Sequence, residues 1–185
     1  MQTTNDVTRL IEAWRQGDPG AADRLFALVY DDLRALARRQ LGRLNPGQTL
    51  VPTVLVHEAY LRFSARSAPN ALNRQHFFGI AARAMRHIVI DHIRRTRAQK
   101  RGGGAPLPLD SDLAVAGDGS PMDLIALDTA LTELERLDPR QASVVELRFF
   151  GGLELGEIAS VLDTSERTVK RDWQKARAFL YTMLH

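Results

Sequence analysis

The sequence predicts an all-α fold of two helical domains joined by a linker, and three observations predict it. Apolar residues recur every three or four positions through most of the chain, and nowhere alternate as a half-buried strand requires. Gly102-Gly103-Gly104, followed by Pro106, Pro108, Gly117, Gly119 and Pro121, interrupts that periodicity at length. Charge divides the chain in the same place. Arg83 to Arg101 holds seven basic residues against one acid, Asp91, and Gly102 to Asp138 holds eight acids against one base, Arg136. A second basic block runs from Arg167 to Arg177.

Val7, Leu10, Ile11 and Trp14 form the stripe of a first helix, ended by Gly17-Asp18-Pro19-Gly20. A second helix is predicted from about Ala21 to Leu41, with Leu25, Leu28, Val29, Leu33, Leu36 and Ala37 inward, before a loop over Gly42 to Gly47. Pro52 suits a first helical turn, where no amide is needed, and opens a third helix through about Ser64. Its apolar face is Leu55, Val56, Ala59, Tyr60 and Phe63. Ser64 to Asn73, with Pro69 and two asparagines, reads as an exposed loop. The longest helix, about Arg74 to Lys100, packs through Phe77, Phe78, Ile80, Ala81, Ala84, Met85, Ile88, Val89 and Ile93.

The stretch 102–123 is then a flexible acidic linker. Fully extended at roughly 3.3–3.6 Å per residue, its twenty or so residues reach about 70 Å. That is about two turns of B-DNA at roughly 34–36 Å each. Leu124, Leu127, Leu131, Leu134 and Leu137 are spaced for burial in the next helix. Pro139 restarts a helix with Val144, Val145, Leu147 and Phe149 inward, and Gly151-Gly152 breaks it.

Composition narrows the function. A chain of 185 residues with no cysteine has neither a disulfide framework nor a Cys-based zinc site. No secretory signal and no run of eighteen apolar residues is visible, so a cytoplasmic protein without a membrane partner is expected. The sequence pI of about 9.7 accompanies a net charge of only +3, so clustering of charge matters more than its total. Two positive blocks flanking a negative one suggest two nucleic-acid contacts. Catalysis is not expected. His57-Glu58 lacks the second His of a zinc protease signature, Gly102-Gly103-Gly104 lacks the Lys-Ser/Thr of a phosphate loop, and His87 with Asp91 supplies two ligands only. Neither metal nor cofactor is expected.

The most informative segment is Leu153 to Arg171. Ile158, Ala159 and Leu162 give a short helix one apolar face. Asp163-Thr164-Ser165 supplies turn and capping chemistry. Val169, Trp173, Ala176 and Leu180 then face inward, leaving Arg167, Lys170, Arg171, Gln174 and Lys175 on the opposite side. This is a helix-turn-helix, whose second helix enters the DNA major groove.

With these motifs, Leu137-Asp138-Pro139-Arg140-Gln141-Ala142 and Val145-Glu146-Leu147-Arg148-Phe149-Phe150 resemble the opening of sigma region 4. Leu55-Val56-His57-Glu58-Ala59-Tyr60-Leu61-Arg62 resembles region 2.2, and Arg86 to Arg95 resembles regions 2.3 and 2.4. The chain is thus similar to bacterial sigma-70 family RNA polymerase sigma factors of the extracytoplasmic-function (ECF) group. The resemblance implies domains at 1–101 (sigma region 2) and 124–185 (sigma region 4), around the linker at 102–123. It implies an alternative sigma factor that binds the β′ and β subunits of core RNA polymerase and directs initiation at a class of promoter DNA. Leu55, Val56, Glu58 and Arg62 are the polymerase-binding candidates. Arg167, Thr168, Lys170, Arg171, Gln174 and Lys175 are candidates for the −35 element. Among them Arg171, Gln174 and Lys175 suit base edges, whereas Arg167 and Lys170, with Arg177, suit phosphates. Asn70, Asn73, Arg86, Arg94, Arg95 and Arg97 are candidates for the −10 element. The resemblance makes the Ala68–Asn73 loop the candidate pocket for a flipped base, and Lys100 and Arg101 would add to the backbone grip. Phe77 and Phe78 are expected to pack rather than stack on bases.

One departure stands out. The acidic run that precedes region 2.2 in this group is replaced by Val51-Pro52-Thr53-Val54. A phosphate on Thr53 would restore negative charge in a first helical turn. Thr53 is therefore the expected phosphorylation site and Thr49 the second choice, with a Ser/Thr protein kinase as partner. An anti-sigma protein is a further partner left open. The alternative is a helix-turn-helix transcriptional regulator that never joins the polymerase.

Overall fold

The computed structural model describes residues 2–44, 50–65, 71, 73–101 and 124–184. All regular structure among them is helical. The linker at 102–123, Asn70 and the Ala68–Asn70 part of the loop, Thr49 and the side chains of Arg97, Lys100 and Arg101 lie outside the described residues.

Four helices build the N-terminal unit: α1 (Gln2–Arg15), α2 (Ala21–Leu44), α3 (Pro52–Ser64) and α4 (Arg74–Arg101). The turn between α1 and α2 uses Gly17 at φ +90°, a conformation costly for a residue with a Cβ. The Asp18 carboxylate then accepts from Gly20 N at 2.9 Å. α2 runs through Gly42 and Arg43, where a loop was expected. Gly42 is exposed and its missing Cβ faces open space, so it costs helix propensity without breaking the hydrogen-bond ladder. Phe26, Phe63 and Phe77 form the aromatic centre of this unit, with Phe26 edge-on to both Tyr60 and Phe77. Phe77 is wholly buried, as packing requires, and Phe78 is partly buried beneath the Arg74 guanidinium. Leu28 does not point inward. At roughly 100° per residue the buried face of α2 centres between Leu25 and Phe26, and Leu28 lies beyond its edge.

The C-terminal unit comprises α5 (Leu124–Leu137), α6 (Pro139–Val145), α7 (Leu155–Val161) and α8 (Glu166–Leu184). Leu127, Leu131 and Leu134 are buried, but Leu137 is 56% exposed, because the chain leaves α5 there to restart at Pro139. Asp138 caps α6, its carboxylate accepting from Gln141 N at 3.0 Å. α6 then widens into a π turn over Glu146–Phe150, where Gly151 N donates to Glu146 O five residues back at 2.9 Å. The extra residue in the turn buries Phe150 and leaves Phe149, expected inward, only half-buried.

The two units do not stand apart. α4 packs against α5, the π turn and α7, and the apolar core runs unbroken from Val7 of α1 to Ala176 of α8.

Asp138 gives this fold a pH-sensitive element. The Gln141 N–H, accepted by the carboxylate, outweighs burial and holds Asp138 below its ordinary value of 3.8. Its contribution is therefore present above that ordinary value and lost as pH falls through the lower folded one. Asp138→Ala should cost about 1 kcal/mol near neutral pH. Thermal unfolding of the two proteins should converge in acid.

Candidate nucleic-acid interface

The helix-turn-helix forms from local polar chemistry as expected. Glu157 accepts from Glu154 N at 2.9 Å and fixes the start of α7. Asp163 takes the left-handed turn position at φ 48°, which Asp tolerates better than branched residues. Ser165 then caps α8, its Oγ accepting from Thr168 N at 3.2 Å. Thr168 is half-buried at this cap, and its hydroxyl lies 2.9 Å from that of Ser165. Val169 and Ala176 are fully buried, while Trp173 and Leu180 are partly so. Arg167, Lys170, Arg171, Gln174, Lys175 and Arg177 are all exposed on the far side of α8.

Two contacts absent from the sequence reading orient this helix. Asp172 is buried on the inward face, and Arg140 of α6 donates to it through Nε at 2.6 Å. That carboxylate holds the Arg140 guanidinium above its ordinary pKa. Arg148 of the π turn lies 5.3 Å from the centre of the Trp173 ring, a cation–π contact. The one acid within the basic block could have flagged Asp172. Its partner, 32 positions away, carried no comparable signal.

The N-terminal candidates are placed differently. Asn73 begins α4, its Oδ1 accepting from His76 N at 2.9 Å, so its side chain is engaged as a helix cap. Arg86 is 3% exposed and bonds to Asp128 and Glu146 across the junction of the two units. Arg94 also reaches Asp128, at 3.0 Å, from a half-exposed position. Arg95 is exposed, donating to Asp91 O at 3.2 Å. The guanidinium of Arg86 also meets His87 Nε2 at 2.9 Å. Burial, reinforced by Arg86 and Arg83, holds His87 below its ordinary pKa, so the neutral ring accepts this bond. Desolvation raises the carboxyl of Glu146 despite the nearby Arg86.

α3 requires a correction. Leu55 and Val56 lie within the core and cannot present a docking surface. The outer face of α3 is instead Val51, Thr53, Val54, His57 and Leu61, with Glu58 and Arg62 half-buried beside it. Arg62 donates to Asp91 of α4 at 2.7 Å. Among the described residues no group of three or more His, Cys, Asp or Glu could hold a metal, and no helix is long and apolar enough to cross a membrane.

A bundle carrying an arginine-rich helix, coupled to a helix-turn-helix with an exposed basic face, is the kind of arrangement found in the nucleic-acid-binding class of proteins. Within that class, the model of the ECF sigma factor family matches residues 4–185, and the chain belongs to that family. It is 24% identical over 166 residues to the ECF RNA polymerase sigma factor BldN of Streptomyces coelicolor, an alignment covering 90% of this chain and 62% of that relative.

The contact between α6 and α8 makes a testable demand. Arg140→Ala leaves the buried Asp172 carboxylate without its main partner and should lower the denaturation midpoint. Asp172→Asn, which keeps a polar group there, should cost less. Chemical denaturation followed by Trp14 and Trp173 fluorescence distinguishes the two.

Proposed function

We propose that this chain is an alternative sigma factor, cytoplasmic, which joins core RNA polymerase and directs it to a specific class of promoter. The observation that carries this reading is the rigidly seated α8. Its cap and its Arg140–Asp172 bond hold one face inward, and five cations and a glutamine stand on the other. Membership of the ECF sigma family supplies the class of reaction. In this reading residues 1–101 act as sigma region 2, 102–123 as the connecting linker and 124–185 as sigma region 4. α8 reads the −35 element as duplex, with Arg171, Gln174 and Lys175 at base edges and Arg167, Lys170 and Arg177 on phosphates. Arg94, Arg95 and Arg97, with Asn70 and Asn73, serve the −10 element, whereas Arg86, expected among them, is buried between Asp128 and Glu146 and anchors the helix that carries them. The apolar outer face of α3, flanked by Glu58 and Arg62, docks on the polymerase.

Phosphorylation of Thr53 is part of this proposal. Thr53 is exposed in the first turn of α3, one residue after Pro52, where the unpaired amides and the helix dipole favour a dianion. It lies between exposed Val51 and Val54, on a face lacking the carboxylates expected there. A Ser/Thr kinase would thereby supply the charge that polymerase docking requires.

Transcript mapping with purified core polymerase tests the reading. Arg171→Ala should relax the upstream consensus at one position, with a loss of about 1–3 kcal/mol in discrimination, whereas Lys170→Ala should weaken all promoters alike. A chain that binds DNA but is never retained by core polymerase would be a free-standing regulator instead. In the same assay kinase-treated protein and Thr53→Asp should exceed Thr53→Ala. Equal activity in wild type, both variants and treated protein removes the phosphorylation step.

A further inference from the structure

Arg34 of α2 has an acid at hand for an ion pair and does not form one. Asp31 stands three residues before it, exposed, at the spacing by which Arg9 pairs with Asp6 and Arg136 with Glu133. The ion pairs of α2 use Arg24 and Asp32, and none among the described residues uses Arg34 or its exposed neighbour one turn on, Arg38. Arg34 is instead half-buried, its Nε enclosed and without a hydrogen-bond partner among the described residues.

Helical geometry gives the direction of that side chain. Tyr60, near the end of α3, donates to Asp23, near the start of α2, at 2.6 Å. The two helices therefore run antiparallel and meet along the side of α2 that carries Asp23. Tyr30 and Arg34 follow Asp23 by seven and eleven residues, which returns both to within about 20° of its line at roughly 100° per residue. On α3, Thr53 precedes Tyr60 by seven residues and falls on the Tyr60 line by the same count. Thr53 thus comes level with Tyr30, and Arg34 lies about one turn, roughly 5.4 Å, further along α2. Arg34 stands on the side of α2 nearest the first turn of α3.

That first turn has room for an anion. Val51 at the cap position offers no side-chain oxygen, Pro52 follows it, and the turn contains no acid. A phosphate on exposed Thr53 would present oxygens that match the guanidinium fork, two parallel N–H···O bonds at once.

We propose that Arg34 is the receptor for a phosphate on Thr53, a clamp that joins α2 to the modified first turn of α3. The inference rests on the phosphorylation reading above and adds the partner that reading lacks. In the unmodified chain Arg34 is a lone cation beside Val51 and Val54, the opposite of the charge expected on that face. A phosphate of about −1.5 to −2 pairs with it and leaves the face net negative. Arg34 is a positioning residue, since it acts by holding the dianion in one orientation.

The test uses the full chain with phosphothreonine installed at position 53 by genetic encoding, in native, Arg34→Gln and Arg34→Lys backgrounds. Phosphorus NMR follows the second ionisation of the phosphate, which lies near pH 6 when nothing is close to it. The acid dissociation constant in the native background should be at least about threefold larger than in Arg34→Gln, because the nearby cation favours the dianion. Arg34→Lys, which keeps the charge and loses the fork, should fall between them. The dipole of α3 acts in all three proteins and cannot produce the difference. The phosphate should also raise the thermal midpoint of the native background more than that of Arg34→Gln, each measured against its own unmodified form. Equal titration in native and Arg34→Gln overturns the clamp. Retention on core polymerase is read with the same proteins. Titration that depends on Arg34, with no gain in retention on modification, keeps the clamp and removes the phosphorylation switch.

Discussion

Arg86 is the residue on which the arrangement of this molecule turns. A guanidinium cannot shed its charge, so burying it obliges the protein to bring carboxylates to it. Asp128 and Glu146 come from different helices of the C-terminal unit, and both must reach a single side chain of α4. Satisfying Arg86 therefore fixes where α5 and the π turn lie on the N-terminal bundle. The π turn follows from the same constraint, since its added residue turns Glu146, Leu147 and Phe150 together toward α4. Glu146 meets the demand at a cost, visible in its raised carboxyl and its unpaired Oε2.

The C-terminal unit also carries polar ties of its own. Asp138 and Ser165 cap successive helices, and Arg140 ties α6 to the buried Asp172 of α8. These bonds stay within one unit. At the junction, ion pairs from Arg83, Arg86 and Arg94 of α4 to Asp128, Glu135 and Glu146 are added to the continuous apolar core.

Much of the fold was legible because helical periodicity is a local signal. The bounds of α3 and the cap of α6 follow from Pro52, Pro139 and Asp138, and the helix-turn-helix from Ile158, Ser165 and Val169. Errors arose where a residue's direction depends on a neighbouring helix. Leu28, Leu137 and Phe149 are apolar and correctly spaced, yet lie at or beyond the edge of the buried face. Leu55 and Val56 show the converse: expected at a docking surface, they are the residues that anchor α3 from beneath. The junction itself was illegible. Arg86 and Asp128 lie 42 positions apart, and each looked like an ordinary solvated charge or DNA contact. Asp172 was hidden by the basic residues around it, although their exposure depends on its burial.

The most direct measurement is the distance between the two units in the native chain and in Arg86→Gln. Dyes attached through Arg15→Cys and Thr182→Cys, both at exposed positions, report it by single-molecule energy transfer. The account predicts one high-transfer population for the native chain and the appearance of a low-transfer population in Arg86→Gln, which leaves Asp128 and Glu146 without their shared cation. A native chain already at low transfer, or a variant whose transfer is unchanged, would contradict it.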